Sequence, residues 1–149
     1  MLQGYVHDEA AAFQGGVSGN AGLFSNASEV ACVYQMLLNG GEWEGRRYLS
    51  RETCRRFTTS VSALSRRGLG FDKPDKRRPE SSPCAACVPG SVFGHTGFTG
   101  TCAWADPDNG LVYVFLSNRI YPNVWSPQLS RLEIRPRIQE AIYQALVKP

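Results

Sequence analysis

No apolar run in this 149-residue sequence approaches the ~20 residues needed to cross a bilayer, and its first residues show no basic stretch leading into an apolar one. Neither a membrane span nor a signal peptide is read from it. Charge of one sign is scarce too. The formal net charge is +3, and the basic residues are scattered apart from Arg55-Arg56, Arg66-Arg67 and the run from Lys73 to Arg78. That spread is read as solvated loop charge, and no nucleic acid is expected as a partner. The glycine-rich stretch from Gly15 to Phe24 is not G-x-x-x-x-G-K-[ST] and follows no strand pattern, which argues against a phosphate cradle. No second C-x-x-C and no H-x-x-x-H accompanies Cys84-Ala85-Ala86-Cys87, so zinc lacks its ligands, and neither a metal nor a cofactor is expected. With five cysteines at least one is unpaired within the chain; Cys84 and Cys87 are read as a loop disulfide or as two free thiols.

What is present is the make-up of a folded domain, 42% hydrophobic and 19% charged, in a chain long enough to bury a core. His7-Asp8 is read as structural rather than as an acid/base pair, because adjacent residues point in different directions. Asn26 is an N-cap with Glu29 as its capping-box partner, and Val30, Val33, Tyr34, Leu37 and Leu38 then recur at helical spacing until Gly40-Gly41. The stretch from Gly41 to Leu49 predicts a short turn or hairpin, and Ser50 caps a second helix carrying Cys54 and Phe57. Leu69-Gly70-Phe71 looks like a brief strand, and residues 72–90 are expected to form a surface loop.

The most regular region follows. Val92-Phe93 leads into a strand, Thr101 to Ala105 forms another, Asp106-Pro107-Asp108-Asn109-Gly110 is a turn, and Leu111 to Leu116 is apolar throughout. This predicts an antiparallel hairpin whose charge-free second strand is central and buried on both faces. Leu132, Ile134, Ile138, Ile142 and Leu146 predict a closing helix laid across the hairpin, with Pro136 in its first turn. Between these elements, the small residues and hydroxyls of Phe93-Gly94-His95-Thr96-Gly97-Phe98-Thr99-Gly100-Thr101 cannot fill a core. They mark a place where a ligand or another backbone comes close to the main chain.

The order of these parts, with His95-Thr96-Gly97 and the later Ser117-Asn118-Arg119-Ile120-Tyr121-Pro122-Asn123, resembles the C-terminal half of the class C β-lactamase-like serine hydrolases. That family includes β-lactamases, D-alanyl-D-alanine carboxypeptidases and esterases, and the likeness is closest to modules attached to bacterial family-three glycoside hydrolases. It implies an α/β (α+β) fold of β-lactamase/transpeptidase type, with residues 1–149 as the C-terminal portion of a single domain: antiparallel strands, flanking helices, and a sheet left incomplete. It also implies that His95-Thr96-Gly97 stands for the family's Lys-Thr-Gly motif, that the Phe98 N–H donates to an oxyanion, and that Asn123 and Thr99 contact substrate. A backbone donor of that kind is worth ~3 kcal/mol in a transition state.

Two departures qualify the likeness. Histidine for lysine loses a permanent charge, and Ile120 stands where class C enzymes carry a polar residue, against strict cephalosporinase specificity. More is missing than altered. No serine has lysine three residues later, so Ser-x-x-Lys is absent. Tyr121-Pro122-Asn123 matches the Tyr-x-Asn string but follows His95-Thr96-Gly97, whereas the family's general-base motif precedes it; Ser18-Gly19-Asn20 is likewise a decoy. The expectation is a chain inactive by itself, whose partner is the missing N-terminal half of the same domain and whose substrate is a small peptide, lactam or ester. An open sheet edge suggests a homodimer. The family implies a periplasmic or extracytoplasmic setting.

Two other classes are weighed against this. A non-catalytic module gripping cell-wall peptide or carbohydrate would use Trp43, Trp104 and Trp125 as stacking surfaces. A cysteine hydrolase would pair His95 with Cys102, but strand alternation turns residues seven apart to opposite faces.

Overall fold

Short polar side chains open the first three helices. The computed structural model describes residues 2–146, so residue 1 and residues 147–149 of the expected unit lie outside the described residues. The Asp8 carboxylate accepts from the Ala11 N–H at 2.8 Å and starts α1 (Glu9–Phe13). Asn26 does the same for α2 (Ala27–Leu38), its side-chain oxygen accepting from the Glu29 N–H at 3.0 Å. Glu29 does not close the box, because its carboxylate takes the Ser25 hydroxyl at 2.8 Å. Beyond Gly40-Gly41 a small hairpin, β1 (Glu42–Trp43) and β2 (Arg46–Arg47), turns the chain back. Ser50 then caps α3 (Arg51–Thr58) through the Thr53 N–H at 3.0 Å. Each such cap stabilises its helix by about 1 kcal/mol.

The main sheet has three antiparallel strands in the order β3 (Phe93–Thr96), β4 (Cys102–Asp106), β5 (Leu111–Phe115). Gly94 pairs with Trp104 across β3 and β4, and Trp104 with Tyr113 across β4 and β5. Alternation sorts the side chains into two cores. On one face Phe93 and Ala105 meet Leu37 and Tyr34 of α2, together with Cys54. On the other, Cys102, Trp104 and Tyr113 meet Cys84, Val88 and Val92, with Ile142 and Tyr143 of α5 (Ile134–Ala145) packed against them. Trp104, 2% exposed, anchors that second core. Helices therefore cover both faces. α5, with Pro136 in its first turn, packs on the second core through Ile142, Tyr143 and the buried Gln139, whereas Leu132, Ile138 and Leu146 of the expected apolar stripe are exposed. A short helix, α4 (Gln128–Arg131), leads into it. Gln139 of α5 is buried and accepts the Ala85 N–H at 3.0 Å, while the Tyr143 hydroxyl donates to Asp106 at 2.5 Å.

Three expectations are corrected. The buried central strand is β4, all five of whose residues are buried, while β5 is at an edge of this sheet among the described residues and fully buries only Tyr113. The lack of charge in β5 comes from its contact with α2 on one face and the second core on the other. Leu69-Gly70-Phe71 forms no strand; Phe71 instead packs on Phe93 and Tyr34, and pairing reaches only a single bridge between Asp72 and Gly94. The segment 72–90 is not simply a surface loop, because Asp72, Lys73, Asp75, Cys84, Ala85 and Val88 are buried. Its charges are tolerated inside because they are satisfied there. Lys73 Nζ donates to the carbonyls of Thr58, Ser91 and Val92 at 3.0–3.1 Å, and Asp75 accepts from the backbone N–H groups of Arg77 and Arg78. Val33 of α2 and Phe57 of α3 are half-exposed.

Candidate active-site strand

Gly94 brings two backbones against β3. Asp72 and Gly94 exchange both N–H···O bonds, at 2.7 and 3.0 Å, on one side, and β4 pairs on the other. A Cβ at Gly94 would overlap the Ala103 carbonyl oxygen and lie 2.6 Å from the Trp104 ring, so only glycine permits this approach.

His95, next in the strand, is exposed. Arg67 Nη1 lies 2.9 Å from its Nε2, and its Nδ1 lies 2.7 Å from the Thr96 carbonyl oxygen. Guanidinium only donates, so Nε2 accepts; the carbonyl only accepts, so Nδ1 carries the proton. Both contacts are made by a neutral imidazole with one defined tautomer, and neither ring nitrogen is left as a free base.

Past Thr96 the chain makes a tight turn. The Gly97 N–H donates to the Thr101 carbonyl at 2.8 Å and the Gly100 N–H to the Gly97 carbonyl at 3.0 Å, with Gly100 at φ +108°. Among the described residues no acceptor is hydrogen-bonded to the Phe98 N–H. Arg119 clamps the same turn. Its N–H donates to the Thr99 carbonyl at 2.9 Å, its Nε to the Phe98 carbonyl at 2.6 Å, and its guanidinium lies 4.4 Å from the centre of the Phe98 ring. Its Nη1 donates to the Val124 carbonyl at 3.1 Å, tying the segment that carries Asn123 to the turn. His7 stacks on the Phe98 ring at 5.6 Å, so the N-terminal segment also packs here.

Behind His95 sits a charged cluster. Asp72, nearly buried, takes Arg66 through both carboxylate oxygens, at 2.7 and 2.9 Å, and Arg67 at 3.2 Å. Arg66 also reaches Asp75 at 3.6 Å, and Arg78 reaches it at 3.5 Å. Backbone hydrogen bonds from Arg78 and Arg77, with the positive charge of Arg78 and Arg66, hold the Asp75 carboxyl below the usual aspartate range, against its desolvation. Burial lowers the Lys73 ammonium below the usual lysine range.

The expected site residues thus fall in two groups. His95, Thr96, Gly97, Phe98 and Thr99 form one continuous edge, whereas Asn123 is exposed on a neighbouring turn and uses its side-chain oxygen on the Trp125 N–H at 2.9 Å. Arg67, Arg119 and His7 are contacts that pattern reading did not assign to the site. Arg66-Arg67 is visible in the sequence as a basic pair, but nothing local shows that it folds onto a strand 28 residues away. Asp8 caps a helix and is not a partner for His7. Cys102 is buried opposite Thr96 while His95 is exposed, so no cysteine–histidine pair forms, and burial pushes the Cys102 thiol up. All five cysteines are free thiols. Trp104 is buried and only Trp125 is broadly exposed, so the tryptophans make no shared stacking surface. Among the described residues no group of three or more His, Cys, Asp or Glu could hold a metal ion, and no helix is long and apolar enough to cross a membrane.

Comparison with known proteins extends this geometry. The family model described as Beta-lactamase matches residues 2–133. A protein of Escherichia coli (strain K12) named "Putative D-alanyl-D-alanine carboxypeptidase" is 39% identical over 128 residues, covering 85% of this chain and 29% of that protein. A protein of the same name from Salmonella agona (strain SL483) is 35% identical over 130 residues, covering 87% of this chain and 30% of that protein. The chain therefore spans under a third of the length of the curated relatives it matches.

Proposed function

The chain belongs to the beta-lactamase family, and on that premise we propose that it is the oxyanion-strand portion of a serine hydrolase of D-alanyl-D-alanine carboxypeptidase type. The observation that carries this reading is the turn after His95-Thr96-Gly97, where the Phe98 N–H has no protein acceptor among the described residues and is held in place by Arg119. A fixed amide aimed at developing negative charge needs no reorganisation as the reaction proceeds. In the complete site a serine outside this chain would attack the scissile carbonyl. As the carbonyl carbon becomes tetrahedral, its oxygen would take up the negative charge and receive the Phe98 N–H. Thr96 and Gly97 would let the substrate lie along the edge of β3, and Thr99 and Asn123 would contact it.

His95 is not the base in this scheme, since both its ring nitrogens are engaged. With no Ser-x-x-Lys in its sequence, the chain would be inactive alone, its partner being the remainder of the same domain. The carboxypeptidase names of the relatives favour a peptide ending in D-alanine over a lactam or simple ester.

Sequencing the DNA upstream of codon 1 tests the division of labour. An in-frame Ser-x-x-Lys followed by Tyr-x-Asn, and acylation of that serine by a fluorescent penicillin, is the expected result. An upstream stop codon with no separate segment supplying those motifs would overturn it.

A further inference from the structure

We infer that Arg67 is the anion-anchoring residue of this site, supplying the positive charge that a lysine at position 95 would bring and holding the terminal carboxylate of the substrate peptide. The inference rests on the serine-hydrolase reading above and deepens it. His95 cannot supply that charge in the observed arrangement, because Nε2 accepts from Arg67 and Nδ1–H donates to the Thr96 carbonyl, which together describe a neutral ring. The charge at the mouth of the strand therefore belongs to the guanidinium 2.9 Å away.

Three observations make Arg67 fit to hold an anion. It is accessible, with half of its side-chain surface exposed, whereas Arg66 beside it is 31% exposed. Its charge is not consumed by its neighbours. The Asp72 carboxylate is already bound at both oxygens by Arg66 and also accepts the Lys73 N–H at 2.8 Å; the cluster of Arg66, Arg67, Arg78, Asp72 and Asp75 carries more guanidinium than carboxylate. Its geometry is set from below. Arg67 is held by Asp72 at 3.2 Å, and Asp72 is fixed to β3 by its paired backbone bonds with Gly94, so the guanidinium keeps station over the strand while its other N–H groups have no acceptor among the described residues. A planar fork with free N–H groups matches a carboxylate better than a lysine ammonium would.

The test uses the 149-residue chain and two probes, N-acetyl-D-alanine and its uncharged amide, titrated against nitrogen-labelled protein and followed by NMR. The acid is expected to move the Arg67 Nε–H and the amides of residues 95–98, and the amide probe is not. Arg67→Gln should weaken the acid by about fivefold or more, the effect of losing one charge-assisted pair at an exposed site, while Arg67→Lys keeps part of it. In the free protein the His95 nitrogens should show Nδ1 protonated and Nε2 unprotonated. Equal response to acid and amide, no response to either, or undiminished acid binding in Arg67→Gln would each overturn the assignment. If Arg67→Gln does not fold, the Arg67 Nε–H shift in the parent chain decides alone. The two proposals fail separately. A serine adduct on the isolated chain would remove the division of labour and leave the carboxylate preference standing, and loss of that preference would do the reverse.

Discussion

Arg119 and Phe98 are joined twice: the guanidinium lies 4.4 Å from the centre of the aromatic ring, and its Nε donates to the Phe98 carbonyl at 2.6 Å. The residue that fixes the turn bearing the Phe98 N–H therefore comes from a different part of the sequence than the turn itself.

Replacing Arg119 with alanine removes the ring contact and the bonds to the Phe98 and Val124 carbonyls, but leaves its own N–H on Thr99. The turn should loosen by about 1 kcal/mol without unfolding the sheet. Amide hydrogen exchange should quicken at residues 97–100 and stay unchanged across β4 in Arg119→Ala. Arg119→Lys, which keeps charge but not the planar fork, should fall between.

Gly94 and Gly90 make a controlled pair. A Cβ at Gly94 meets backbone of β4, which cannot swing aside, whereas a Cβ at Gly90 meets nothing within 4 Å. Gly94→Ala should cost roughly 3 kcal/mol or more in chemical denaturation, as overpacking at a sheet backbone does, and Gly90→Ala should stay within about 0.5 kcal/mol of the parent. Equal stability of the two variants would show that β3 does not pair with both neighbours as described.

The sequence carried the local features well and the distant ones poorly. Asn26 and Ser50 announce their helices because a cap involves residues three apart, and the turn at Asp106–Gly110 announces its hairpin for the same reason. Lys73 reads as surface charge because its partners, the carbonyls of Thr58, Ser91 and Val92, reach it only once the chain has folded. The same holds for His95, whose strand and motif were legible but whose tautomer depends on an arginine 28 residues earlier. The position of β5 is not legible in the sequence, because an apolar strand at an edge and one in the middle look alike when both faces are covered.

Acid should reveal Asp75. Its folded-state carboxyl is held below the ordinary aspartate value, so the stability it contributes is fully present above that value, about pH 4, and is lost as pH falls through the lower folded value. The melting temperature of the parent should therefore fall more steeply below about pH 4 than that of Asp75→Asn, which has no carboxylate to protonate. Parallel curves would contradict this.

β5 is an edge of the main sheet in the described residues and carries no charge to repel a second copy. The isolated chain is expected to self-associate with rising concentration in sedimentation velocity. A stable monomer at high concentration would count against an open edge.

On the function proposed, this chain contributes an oxyanion strand and no nucleophile. Intact-protein mass spectrometry of the folded chain after treatment with a fluorophosphonate reporter tests it most directly. An unchanged mass is expected; a stoichiometric adduct mapped to a single serine would overturn the proposal.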